Sequence, residues 1–130
     1  MNLLLDTHAL IWWMEDNPRL GRRTRDSMTK PGSTVWISAA SVWELSIKYA
    51  LKRLKLRCKP ERDIPTLLNE GFYSLAVSID HALATRSLPL HHADPFDRLL
   101  IAQAQCEDLV LVTADDSIPA YDVRTLDAST

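Results

Sequence analysis

Residues Asn2 to Glu15 constrain this chain more than any other stretch. Three leucines, Leu3 to Leu5, run directly into Asp6-Thr7 and then into His8-Ala-Leu-Ile-Trp-Trp-Met14. The leucine run reads as a short buried strand and the segment after Thr7 has helical character, so Asp6 falls at a strand's carboxyl end. Open α/β sheets keep their ligands at that edge. A plainer reading stands beside it, in which Asp6 or Thr7 caps the helix that follows. The choice turns on whether later acids recur in the same setting.

At 130 residues the chain is long enough to bury one continuous core without staples, so a single domain spanning 1–130 is expected. No apolar run approaches the ~18 residues of a membrane span, and the start lacks the basic, apolar, small-residue order of a secretion signal. The expectation is a cytoplasmic protein without membrane contact. Cys58 and Cys106 lie far apart with no C-x-x-C spacing, which indicates neither a disulfide framework nor a zinc site. A net charge of −2 argues against coating nucleic acid by bulk electrostatics. The distribution is less even: Lys48, Lys52, Arg53, Lys55, Arg57, Lys59 and Arg62 crowd one segment with Glu61 as the only acid among them, and Arg19, Arg22, Arg23 and Arg25 form a second cluster. Such runs are solvated helix faces in most proteins; if a polyanion binds, these are the surfaces it would meet.

After the first strand, His8 to Glu15 is apolar nearly all round and reads as a buried helix ended by Asn17-Pro18. Trp12 and Trp13 sit ~100° apart on it, so one is expected in the core and the other at a partner or a wrapped edge. Pro18 opens a short basic helix to about Met28, closed by Lys30-Pro31-Gly32. Thr34 to Ser38 is the second strand, and a helix from Ala39 is expected to bury a stripe of Trp43, Ile47, Ala50 and Leu54. Between Lys59 and Gly71 a loop and short helix are expected, then a strand from Phe72 to Ser78. Asp80 is the expected cap of a helix over His81 to Ser87 that Pro89 stops. Asp94-Pro95 is a strong helix start with Asp97 three residues on, as in a capping box. Leu109 to Thr113 is a continuous apolar strand followed by Ala114-Asp115-Asp116, and a last short strand ends near Leu126. Strands alternating with helices imply an α/β fold on a parallel sheet, with no internal repeat or linker.

In such a sheet Asp6 and Asp115 emerge at one edge, Glu44 comes from the helix after the second strand, and Asp97 opens a helix whose continuation is almost wholly apolar. A carboxylate at the mouth of a buried helix is costly without a partner, and the helix dipole compensates only in part. Four converging acids would raise one another's pKa, so convergence predicts a hard divalent cation held by oxygen ligands. His8, His81, His91 and His92 lack a metal-ligand spacing, and His91-His92 read as polar loop residues rather than ligands. Glu44 and Lys48, one turn apart, admit two readings: a routine surface pair, or a carboxylate aimed at the sheet edge.

These residues resemble the PIN-domain ribonucleases of the VapC type, the toxic half of a bacterial toxin–antitoxin pair. The matching stretches are Leu3-Leu-Leu-Asp-Thr-His-Ala-Leu-Ile-Trp-Trp13, Ile37-Ser-Ala-Ala-Ser-Val-Trp-Glu-Leu-Ser-Ile-Lys48, His92-Ala-Asp-Pro-Phe-Asp-Arg-Leu-Leu-Ile-Ala-Gln-Ala104 and Leu111-Val-Thr-Ala-Asp115, in family order along essentially the whole chain. The third block is highly specific; the T-x-D of the last would be weak alone. The resemblance implies a PIN-like three-layer α/β fold with a central, mostly parallel sheet flanked by helices. It also implies Mg²⁺- or Mn²⁺-dependent hydrolysis of RNA phosphodiester bonds, inhibition by a small cognate antitoxin, and a homodimer. Carried over, the catalytic and metal-binding acids are Asp6, Glu44, Asp97 and Asp115, with Asp116 open as the fourth. Thr7, Ser41 and Thr113 match hydroxyl positions that could orient carboxylates or water. Lys48 and Arg98 are candidates for substrate phosphate, and Arg98 equally for an ion pair with an acid of its own helix end. The basic segment from Lys48 to Arg62 is the candidate RNA surface, and Trp12 or Trp13 a candidate for an antitoxin segment.

Competing classes meet specific obstacles. A haloacid-dehalogenase-type phosphatase would need an acid where this chain has His8, and a phospho-acceptor receiver would want a lysine near Thr113-Ala114-Asp115. A PIN-fold protein that binds RNA or a partner without cutting retains every residue above; metal-dependent cleavage lost in an Asp97→Asn variant separates it.

Overall fold

A computed structural model describes residues 1–130. Its apolar runs become five strands: β1 (Asn2–Leu5), β2 (Thr34–Ser38), β3 (Tyr73–Leu75), β4 (Val110–Thr113) and β5 (Thr125–Asp127). They form one sheet in the order β3-β2-β1-β4-β5, and every neighbouring pair is parallel. Parallel neighbours need long crossovers. Helices supply them: α1 (Thr7–Met14), α2 (Arg22–Thr29), α3 (Ala39–Ala50), α4 (Pro60–Asn69), α5 (Ile79–Ala84) and α6 (Pro95–Glu107). Successive residues of a strand point to opposite faces, and here both faces are dry. Leu3, Leu5, Val35, Ile37, Val110 and Val112 join one core with Ala9 and Leu10, while Leu4 and Leu111 join a second with Leu100, Ile101 and Ala104. That is the three-layer α/β arrangement expected.

From β1 the sheet runs one way to β2 and β3 and the other way to β4 and β5, so the switch in direction lies between β1 and β4. Helices diverge at such a point and leave a crevice at the carboxyl ends of the strands. The register pairs Leu5 with Val112, and the Asp6 N–H donates to Val112 O at 3.0 Å. Asp6 and Thr113 therefore leave adjacent strands side by side at the crevice.

Several local expectations need correction. α2 begins at Arg22 rather than Pro18, because Gly21 is extended (φ −67°, ψ 158°) and gives its N–H to the Ala128 carbonyl at 2.9 Å. β3 is only Tyr73–Leu75 of the expected Phe72–Ser78. α5 is capped by Ser78, not Asp80; the Ser78 hydroxyl accepts the His81 N–H and His81 Nδ1 accepts the Ser78 N–H, a reciprocal box that aspartate two residues later cannot reproduce.

The stripe assigned to the third helix is also rotated. α3 buries Ala40, Ser41, Glu44 and Leu45, whereas Trp43 is 61% exposed and meets Phe96 edge-on with ring centroids 5.3 Å apart. Apolar periodicity misleads there because the helix turns a polar face inward, where Glu44 finds partners. Neither tryptophan of α1 is fully buried. Both pack against the core, and Trp13 additionally meets Phe72 at 5.8 Å and the Arg25 guanidinium at 5.9 Å.

Candidate functional site

Asp6 follows β1 directly and caps α1: its Oδ1 accepts the Ala9 N–H at 2.8 Å. The helix cap is thus Asp6 and not Thr7. Only 4% of Asp6 is exposed, and burial raises its carboxyl pKa despite the Ala9 N–H, the nearby Thr113 hydroxyl and His8, with Glu44 adding to the rise. Thr7 does something else. Its hydroxyl donates to Glu44 Oε1 at 2.6 Å, so the residue after the first strand anchors an acid 37 positions away.

Glu44 is 2% exposed, which removes the surface-pair reading. Its second oxygen, Oε2, receives Lys48 Nζ at 2.5 Å, and that hydrogen bond raises the lysine's pKa, helped by the charges of Asp94 and Asp97. Lys48, offered as a phosphate contact, is here the counter-ion of Glu44. Ser41, one turn before Glu44 on the same helix, is fully buried, and its Oγ is the one buried side-chain polar atom without a hydrogen-bond partner. An orphaned hydroxyl is uncommon in a native interior and calls for a water or ligand.

At the start of α6, Asp94 Oδ1 accepts the Phe96 N–H at 2.8 Å and the Asp97 N–H at 3.4 Å, as a cap with proline at the first helical position should. Asp97 then projects inward with 17% of its side chain exposed. Burial first, and then the charges of Asp94, Asp6 and Glu44, push its carboxyl up to about 7, against the lowering influence of His92.

Arg98 neither reaches for solvent nor pairs with an acid. Its guanidinium donates to the carbonyl oxygens of Pro89 (2.8 Å), Thr85 and Leu88 (both 3.1 Å) and His92 (3.4 Å), and to Tyr121 Oη (3.3 Å). The ion-pair reading of Arg98 therefore gives way to these carbonyl and hydroxyl contacts. It ties the loop ahead of α6 to the body of the fold.

Asp115 comes from the end of β4. Its N–H donates to Thr113 Oγ1 at 3.1 Å, its Oδ1 accepts the Ser117 N–H and hydroxyl at 2.9 and 2.7 Å, and its Oδ2 faces His92 Nε2 at 2.8 Å. Partial burial would raise its pKa, but Ser117 and His92 outweigh that and hold it low. Asp116 is exposed and shares none of these contacts.

His92, read from sequence as a loop residue, is the group the motif analysis missed. Its Nε2 lies 3.0 Å from Asp97 Oδ2 as well as 2.8 Å from Asp115 Oδ2, so it links acids that arrive from opposite sides of the crevice. Ligand atoms of His92, Asp97 and Asp115 all lie within 4.8 Å of one another. Burial lowers the imidazole's pKa, but the hydrogen bond to Asp115 and the charges of Asp97, Asp115 and Asp94 prevail and raise it. One sequence signal was available: His92 precedes Asp94 by two residues, the spacing at which a side-chain acceptor takes the i+2 backbone N–H.

Asp6, Glu44 and Asp97 thus feel one another's charge, Asp115 is bridged to Asp97 through His92, and the buried Ser41 hydroxyl lacks a partner. The donor set is rich in carboxylate oxygen and holds one lysine against four acids, which suits a hard divalent cation.

A family model described as PIN domain matches residues 3–124. Solved structures with the same fold include VapBC2 from Rickettsia felis bound to a promoter DNA fragment (15% identity, 97% of this chain and 98% of that one, TM-score 0.71). FitAcB from Neisseria gonorrhoeae is similar over 97% of each chain (23% identity, TM-score 0.66), as is a toxin–antitoxin complex from Klebsiella pneumoniae (19% identity, 97% of each, TM-score 0.64). No curated protein matches the chain.

Proposed function

We propose that this chain, which belongs to the PIN-domain family, is a single-domain, cytoplasmic toxin of a toxin–antitoxin pair that hydrolyses RNA phosphodiester bonds with a divalent metal. The observation that carries the reading is the placement of Asp97: a carboxylate with 17% of its side chain exposed, in a crevice at the switch point of the sheet, where burial and the charges of Asp94, Asp6 and Glu44 push it up to about 7. No helix is long and apolar enough to cross a membrane. The likeness to VapBC and toxin–antitoxin complexes supports a protein antitoxin as partner; the homodimer is inferred from the family resemblance alone.

In this reading Asp6, Glu44, Asp97 and Asp115 hold Mg²⁺ or Mn²⁺. Such an ion supplies an activated water, neutralisation of the nonbridging phosphate oxygens and support for the leaving alkoxide. The chain's own groups do the positioning. Thr7 and Lys48 each fix one oxygen of Glu44, the Ala9 N–H fixes Asp6, and Ser117 and Thr113 fix the turn that carries Asp115. Beyond Glu44 and Lys48, the exposed side chains of Lys52, Arg53, Lys55 and Lys59 form no ion pair and offer the RNA backbone a charged track. Trp12 and Trp13 keep partly open faces on α1 for an antitoxin segment.

Sequencing of RNA ends after brief expression tests this, with Asp97→Ala as control, alongside cleavage of the purified protein with Mg²⁺ and with chelator. Site-specific ends that need both metal and Asp97 are expected. Cleavage that persists in chelator or in the variant overturns the metal mechanism, and RNA binding without any cleavage establishes the non-cutting alternative.

A further inference from the structure

We propose that His92 is a positioning residue held with its Nε2 protonated and its Nδ1 accepting from the backbone, a hydrogen-bond donor that fixes Asp115 beside Asp97 and is not itself a metal ligand. The inference rests on the reading of those acids as metal ligands and adds the group that sets their orientation.

The tautomer follows from what faces each ring nitrogen. Nδ1 lies 3.0 Å from the backbone nitrogen of Asp94 in a geometry where that N–H donates. A peptide N–H can only donate, so Nδ1 presents its lone pair and the ring proton resides on Nε2. Nε2 in turn faces two acceptors, Asp115 Oδ2 at 2.8 Å and Asp97 Oδ2 at 3.0 Å. A proton on Nδ1, whether of the imidazolium or of the other tautomer, would set N–H against N–H and forfeit the Asp94 contact. For Nε2 to offer a lone pair to a metal, the proton would have to move to that same Nδ1. The histidine that completes a three-residue cluster of ligand atoms is thereby excluded from ligation by the backbone behind it.

The backbone of His92 is itself held. Its N–H donates to Tyr121 Oη at 2.8 Å, and the Arg98 guanidinium donates to Tyr121 Oη at 3.3 Å and to the His92 carbonyl at 3.4 Å. Arg98 therefore acts on the crevice through His92 rather than by touching phosphate. The ring engages Asp115 Oδ2 and faces Asp97 Oδ2, Ser117 holds Asp115 Oδ1, and Asp97 Oδ1 is the oxygen of the pair that no protein donor occupies.

Nitrogen-resolved NMR of the His92 ring reads this directly in the intact protein at about pH 9, chosen because the neighbouring acids raise the ring's pKa above the ordinary value of about 6.5. The expected spectrum has a protonated Nε2 and a bare Nδ1, and added Mg²⁺ shifts these signals without exchanging their roles. A protonated Nδ1, before or after Mg²⁺, overturns the inference. Calorimetric titration with Mn²⁺ supplies the second arm. His92→Ala should bind about 10- to 100-fold more weakly, the usual cost of losing a group that orients a ligand, while His92→Gln, which keeps an N–H donor, should recover most of the loss. Wild-type affinity in His92→Ala overturns the clamp. If Asp6→Asn and Asp97→Asn also bind Mn²⁺ as wild type does, the metal reading of the crevice fails instead, and the ring spectrum still decides the tautomer.

Discussion

Each end of α6 carries a histidine whose Nδ1 accepts a backbone N–H and whose Nε2 faces a carboxylate. At the far end His81 is 2% exposed; its Nδ1 takes the Ser78 N–H and its Nε2 meets Glu107 at 2.9 Å. Around it Gln103, with no exposure, receives the Ser38 hydroxyl at 2.5 Å and donates to the Ala76 carbonyl at 3.3 Å. Each of these polar groups has a partner and the network is closed. At the mouth, His92 serves two acids at once, Asp97 is crowded by three others, and the Ser41 hydroxyl is orphaned. A closed polar network holds a fold together, whereas an open one of the same ingredients is arranged for something that arrives later.

The sharpest way to break this contrast is to neutralise Asp97. Asp97→Asn should lower RNA cleavage on the order of a thousand-fold, about 4 kcal/mol of transition-state stabilisation, without lowering the thermal midpoint of the metal-free protein. If the variant unfolds instead, the mouth is structural and the two ends do not differ.

Next in size is a pH effect confined to the mouth. The folded-state pKa of Asp97, about 7, lies above the ordinary carboxyl value of 3.8, so the ionised form is disfavoured by folding. Stability from this group is fully present below the unfolded pKa and is lost as pH rises from about 4 towards 7, by on the order of 2 kcal/mol after allowance for its partial exposure. Urea unfolding at about pH 5 and pH 8, with chelator present, should show that loss. Asp97→Asn should reduce it, the raised Asp6 and His92 leaving a remainder of the same sign, and Mg²⁺ should reverse it if the crevice binds metal, since a ligand of the native state alone stabilises it.

What could be read from sequence divides along the same line. β2 and the Asp94-Pro95 start of α6 follow from alternation and capping chemistry that act over a few residues, and both appear where expected. The edge at which acids gather followed from Asp6 and Asp115 each ending an apolar strand. The helix stripe on α3 was misread because its buried face carries Ser41 and Glu44 for tertiary reasons, leaving Trp43 outside. The contacts of His92 and Arg98 were not legible in the sequence because their partners include backbone atoms and the Tyr121 hydroxyl, brought near only once β4 and the segment after it are in place. Local chemistry is legible one residue at a time; a side chain whose role is to hold another loop's carbonyl leaves no periodic trace.

At the far end the largest expected effect is on stability alone. Gln103→Leu preserves volume approximately but leaves the Ser38 hydroxyl without its acceptor and the Ala76 carbonyl without its donor. A loss of about 2 kcal/mol in urea unfolding is expected, with Mn²⁺ affinity unchanged. A matching fall in metal affinity would mean that the two networks communicate along α6 and that the division drawn between them is wrong.

The smallest effect should come from Glu107, and it tests whether the two histidines share a tautomer logic. With His81 Nδ1 accepting the Ser78 N–H, the ring donates through Nε2, and it needs from residue 107 only an acceptor. Glu107→Gln keeps an amide oxygen in reach, and the glutamate side chain is 47% exposed, so its charge is already screened by water. Unfolding measurements should therefore place Glu107→Gln within about 0.5 kcal/mol of wild type, the range of surface substitutions away from special features. A markedly larger loss would show that the His81 contact relies on the charge of Glu107 and not only on an acceptor there. The shared pattern of backbone N–H on Nδ1 would then not suffice to explain the Nε2 contact at one end of α6, and the same argument would weaken for His92 at the other.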